Sequence, residues 1–174
     1  MEKAQQQPLN LFTWGNPSRG DDAIGPRLHQ IIAQIIKQSA LEHIQLIEDF
    51  QLQPEHVFDI NAQACLVFID AACQGHSAYQ ITPVRTTQEI GYTTHALSPG
   101  ALMTIYEKTQ NKAAPPAFIF SVRGYCFDLG APLSEQAEEN IHLAAHFLKE
   151  LLFSQDPLSL LQQAIVTAQD KCNA

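Results

Sequence analysis

Four consecutive apolar residues, Leu66-Val67-Phe68-Ile69, preceded by Cys65 and closed by Asp70, constrain this chain more than any other stretch. A strand with one face in water alternates apolar and polar residues. This run does not alternate, so it belongs inside a sheet covered on both faces by helices. An Asp directly after such a run is costly to bury unless it is paired or bound to a cation. An Asp at a strand end also caps turns, and both readings stay open at this point.

The rest of the chain supplies the layers. Leu9 to Thr13 reads as a first strand, Gly15, Pro17 and Gly20 make the next segment a turn, and Ile24, Leu28, Ile31, Ile32, Ile35 and Ile36 recur at helical spacing. Ile44 to Asp49 is a short strand ending in acid, followed by a weakly helical connector from Pro54 to Ala62. Tyr79 to Val84 is a further strand. The connector from Ala71 to Ala78 is too short for a parallel crossover, so this strand runs antiparallel to its predecessor, through a hairpin. After a loop from Arg85 to Leu97, Ser98 and Pro99 form an N-cap and N1 pair that opens a helix carrying Leu102, Ile105 and Tyr106. Ala117 to Val122 is the last strand. Ser134 then opens the longest helix, with Ala137, Ile141, Ala144, Ala145, Leu148, Leu151 and Leu152 on one face. The tail, residues 155–174, holds a short helix around Leu158 to Ala168 before a polar end. The pattern predicts one domain over residues 1–174: a three-layer α/β/α fold on a mostly parallel twisted sheet of about five strands, one of them antiparallel.

In such a sheet ligands bind beyond the carboxyl ends of the strands. Three parallel strands finish there beside acid, the first near Asp21 and Asp22, the second at Asp49 and the third at Asp70. Helix capping accounts for one of the adjacent pair but has no special need of both. Gly15 and Gly20 have the spacing of a phosphate-binding loop, yet Asp21 and Asp22 stand where Lys and Ser or Thr are required, and they also occupy the pyrophosphate position of a dinucleotide fold. The turn suits a cation. His95, in Thr-Thr-His-Ala-Leu-Ser-Pro-Gly, can reach the same edge, although a lone loop histidine is commonly just solvated. Two carboxylates and an imidazole form a set suited to nickel or zinc, with positions left open for another molecule's ligands. Cys73 is either a further ligand or a small buried hydrophobe. His142 and His146 have i, i+4 spacing but lie away from the apolar face, as a solvated pair does. Arg123 either orients a peptide carbonyl or carboxylate or forms a surface salt bridge.

Charge limits the partners. With 18 acidic against 10 basic side chains the formal net charge is -8, which opposes binding to nucleic acid and anionic membranes. Met1 to Leu11 has no apolar signal region and no run of about 18 apolar residues occurs, so the expected location is the cytoplasm. Cys65, Cys73, Cys126 and Cys172 lack Cys-x-x-Cys spacing and are expected to be reduced thiols.

The chain resembles the maturation endopeptidases of nickel-iron hydrogenases. Gly15, Asn16, Asp21, Asp22 and Gly25 match that family's opening Gly-Asn-x4-Asp-acid-x2-Gly. Asp70 in Phe-Ile-Asp-Ala matches its strand-end Asp, and His95 matches a His shortly before a helix-opening turn. The resemblance spans roughly residues 9 to 153. It implies that Asp22, Asp70 and His95 are ligands of a nickel ion supplied by the substrate. The substrate implied is the hydrogenase large-subunit precursor, which loses a C-terminal extension once nickel is inserted. Asp22, Asp70, Asp21 and Asp49 become the candidate catalytic carboxylates, with the metal or a carboxylate such as Asp21 or Asp49 activating water. Where many members carry Asp-Gly-Gly-Thr, this chain has Asp49-Phe50-Gln51-Leu52; Asp49, Phe50 and Gln51, with Arg123, are therefore the candidate substrate contacts. The Glu-Asp-Phe-Gln-Leu-Gln run resembles the branch serving NAD-reducing bidirectional hydrogenases. Three other readings compete. A peptidyl-tRNA hydrolase would place a catalytic His on the first turn, a phosphoacceptor receiver module would have Lys where Arg123 stands, and a catalytically silent metal carrier would differ from the protease only in activity.

Overall fold

The computed structural model describes residues 6–86 and 97–172. Five strands form one sheet: β1 (Leu9–Trp14), β2 (Ile44–Asp49), β3 (Cys65–Ala72), β4 (Tyr79–Pro83) and β5 (Ala117–Arg123), in the order β2-β1-β3-β5-β4. All neighbours pair parallel except β4, which runs antiparallel to β5. The direction of β4 is the expected one but its partner is not, because β5 lies between β3 and β4 and no hairpin forms. β5 places Phe118, Phe120 and Val122 in the core, and β4, with only Ile81 buried and Pro83 closing it, takes the edge.

Four α-helices complete the layers: α1 (Ile24–Ser39), α2 (Pro99–Gln110), α3 (Glu135–Phe153) and α4 (Pro157–Cys172). Alternate residues of the strands feed opposite faces. Leu9, Leu11, Cys65, Val67 and Ile69 pack with α1, α3 and Leu161 of α4. Phe12, Leu66 and Phe68 pack with Leu102, Met103 and Tyr106 of α2 and with Leu52 and Val57. The unbroken apolar run of β3 is thus explained by a helix layer on each side, each fully buried Leu, Val or Phe contributing about 1.5–3 kcal/mol. Ser98 and Ser134 cap α2 and α3 as expected, accepting from the Ala101 and Ala137 amides at 3.2 Å. α4 is longer than the helix expected in the tail. No described helix is long and apolar enough to cross a membrane.

Two glycines shape the entry to α1. Gly15 has φ +146, and a Cβ there would strike the Asp22 carbonyl; a Cβ on Gly25 would strike the Trp14 carbonyl. The chain can therefore fold α1 back tightly onto the end of β1, keeping Asp22 next to the strand that precedes it.

Candidate metal and catalytic site at the carboxyl edge

Strand register sets the geometry of this edge. Trp14 pairs with Asp49 on β2, and Thr13 with Ile69 on β3, so Asp49, Trp14 and Asp70 form one row across three strands. All three alternate to the α2 face, and at the usual strand spacing Asp49 and Asp70 stand about 10 Å apart with Trp14 between them.

Asp70 is part-buried, and its Oδ1 accepts the Ala71 amide at 2.8 Å. Burial pushes its carboxyl up to about 7, the negative charge of Asp22 adds to the rise, and hydrogen bonds from the Ala71 amide and the Trp14 side chain oppose it. Asp22 reaches this position from a single 3-10 turn, Gly20–Ala23, in which neither acid caps the helix through its side chain. Instead Asp22 Oδ2 accepts the Asn16 amide at 2.9 Å across the turn. Among the described residues neither Asp22 nor Asp70 has a Lys, Arg or His ion-pair partner. Two interacting carboxylates without a counter-charge form a donor set for a hard or borderline divalent cation, which would displace the Asp70 proton on binding. Among the described residues no three His, Cys, Asp or Glu side chains gather closely enough to hold a metal on their own. His95, the third ligand implied by the resemblance, lies outside the described residues.

Asp21 does something else. Fully buried, it accepts the Tyr125 amide at 2.6 Å, the Cys126 amide at 2.9 Å, and the Ser134 amide and hydroxyl at 2.7 and 2.8 Å. Burial raises its pKa, but the Ser134, Tyr125 and Cys126 amides and the Ser134 hydroxyl outweigh that effect and hold the carboxyl below its usual value. With its lone pairs filled, Asp21 is a poor acceptor of a proton from water. Its geometry is that of a clamp joining the β1–α1 turn to the loop before α3.

Asp49, by contrast, is 43% exposed at its side chain. Oδ1 accepts the Phe50 amide at 2.6 Å and Oδ2 lies 3.3 Å from His56 Nε2. Phe50 is 60% exposed beside it and Gln51 is exposed, whereas Leu52 is 3% exposed and belongs to the core around Phe12. Arg123 ends β5 two strands from β1; it donates to the Cys73 carbonyl and lies over the Tyr125 ring, 5.2 Å from its centroid. It forms no salt bridge among the described residues. Cys73 is exposed, which corrects the expectation of a buried hydrophobe. His142 and His146 lie on the solvated face of α3, His146 beside Glu150 at 3.6 Å.

Sequence reasoning missed Trp14 and His56 as site neighbours. The register of β1 against β2 and β3 would have revealed Trp14. Nothing in the local pattern marks His56, because it meets Asp49 only through the short turn Pro54–Phe58.

No protein-family model matches the sequence, and a search of curated proteins finds no match. Solved structures do match. A [NiFe] hydrogenase maturation protease HycI from Thermococcus kodakarensis KOD1 superposes with a TM-score of 0.66 at 20% identity, over 86% of this chain and 94% of that one. The hydrogenase maturating endopeptidase HybD from E. coli gives 0.60 at 16% identity, over 83% and 91%. HybD from Thermococcus kodakarensis gives 0.57 at 18%, over 83% and 99%. At these identities the likeness establishes the fold: this chain has the mixed α/β architecture of those structures, with one antiparallel strand at the sheet edge.

Proposed function

We propose that the protein is an endopeptidase that removes the C-terminal extension of a nickel-iron hydrogenase large-subunit precursor after nickel insertion, with the nickel as recognition signal. The observation that carries this reading is the uncompensated pair Asp22 and Asp70 at the carboxyl edge, Asp70 raised to about 7, in a fold shared with structures described as hydrogenase maturation proteases. Nickel belongs to the substrate. Asp22 and Asp70, with His95 as the third ligand, offer it an incomplete shell whose remaining positions are filled by the precursor.

Hydrolysis needs a group to take a proton from water as the water oxygen attacks the scissile carbonyl, and a proton for the departing amine as the C–N bond breaks. Asp49 fits that task better than Asp21, because it is exposed and retains free lone pairs. Phe50 and Gln51 meet the precursor next to it, and Arg123 orients a carbonyl or carboxylate further along the edge. The Asp49-Phe50-Gln51-Leu52 loop supports the branch serving NAD-reducing bidirectional hydrogenases as the source of the substrate, in the cytoplasm, with neither nucleic acid nor membrane as partner.

Incubation of the purified protein with nickel-loaded precursor tests this. The expected result is a shortened large subunit on a processing gel with wild type and no product with Asp22→Ala or Asp70→Ala, both variants retaining the wild-type circular dichroism spectrum. Wild-type processing rates in either variant would remove the metal-site assignment.

A further inference from the structure

Asp49 lies beside a histidine whose own contacts fix its ring. His56 sits 7% exposed in the turn Pro54–Phe58, its ring edge-on to Phe12 with centroids 6.1 Å apart and planes at 78°. The Gln53 amide donates to His56 Nδ1 at 2.8 Å. A backbone N–H can only donate, so this contact requires Nδ1 to accept; the Gln53 carbonyl, 3.2 Å from the same nitrogen, accepts the His56 amide. A neutral imidazole that accepts at Nδ1 carries its proton on Nε2, and Nε2 faces Asp49 Oδ2 at 3.3 Å. Phe12, Trp14, Ile47 and Leu52 line the same small hollow as the pair.

We propose that His56 is a positioning residue for Asp49. Its Nε2 lies 3.3 Å from one carboxylate oxygen while the Phe50 amide donates to the other, and the side chain of Asp49 stays 43% exposed. The His56 proton is not transferred. It fixes the carboxylate where a loop bearing the exposed Phe50 and Gln51 would otherwise leave it free to rotate. The purpose assigned to Asp49 rests on the endopeptidase reading; the pair itself does not.

Two measurements on the intact protein test this. In long-range 1H–15N NMR spectra of the precursor-free protein, His56 is expected as the Nε2–H tautomer, with its ring signals moved by Asp49→Asn. An Nδ1–H tautomer, or signals indifferent to Asp49→Asn, would overturn the proposal. In processing of nickel-loaded precursor, His56→Phe should lower kcat about 10–100-fold with little change in KM. His56→Gln, which keeps an N–H donor, should restore part of the rate, and His56→Phe should cost nothing further in an Asp49→Asn background. A full additional loss in that background, with thermal melts unchanged, would also overturn it. If the wild type leaves the precursor uncut while His56 is Nε2–H and responds to Asp49, the endopeptidase reading falls and the positioning contact stands.

Discussion

Asp21 and Asp70 show how environment divides the roles of like residues. Asp21 is fully buried and Asp70 part-buried, but Asp21 meets four donors while Asp70 meets two and a like charge. Removing the clamp should therefore cost stability. Asp21→Asn, which sets an amide against those N–H groups, should destabilise the protein by about 2–4 kcal/mol, read as a lower denaturation midpoint with unchanged slope. Asp70 should behave in the opposite sense. Its folded-state pKa of about 7 lies above the ordinary carboxyl value of 3.8, so the native protein keeps a proton that the unfolded chain releases. Stability is then fully present below 3.8 and declines as pH rises through about 7. In metal-free protein, Asp70→Asn should raise stability at pH 8 by roughly 1–3 kcal/mol and leave it near wild type at pH 4. Urea titrations at the two pH values check this, and a loss of stability at pH 8 would contradict it. For Asp70, an acid directly after an apolar run was legible in the sequence. The part played by Asp21 was not, because its donors lie more than 100 residues away in the chain, where no local pattern can announce them.

At the scale of elements, periodicity located all five strands and the longer helices because burial on one or both faces leaves a regular imprint. α1 ends where Ala40 turns left-handed at φ 50, and α3 buries the face that its Ala and Leu residues mark. The partner of β4 escaped the reading because connector length fixes direction but not which strand lies alongside. The segment after β2, where the sequence resemblance breaks, is not uniform in its structural role. Leu52 is scaffold and Phe50 is surface, so the two should separate experimentally. Leu52→Ala should cost about 2–4 kcal/mol through the cavity it leaves beside Phe12 and Val57. Phe50→Ala should leave the thermal midpoint unchanged and weaken precursor processing several-fold, chiefly in KM. An equal fall in stability for both variants would assign the whole loop to scaffold.

The whole molecule buries its sheet under helices on both faces and places the Asp21 clamp, the Asp22 and Asp70 carboxylates and the exposed Asp49 at the carboxyl edge of that sheet. Two carboxylates and one imidazole leave a metal short of ligands, so affinity for free nickel should be modest and recognition should depend on a metal already carried by the substrate. The most direct test compares nickel-loaded with nickel-free large-subunit precursor at equal concentrations, using wild-type protein and the His95→Ala variant. The account predicts cleavage of the loaded precursor alone by wild type, and a strongly reduced rate on it with His95→Ala. Equal cleavage of both precursors by wild type would contradict nickel recognition.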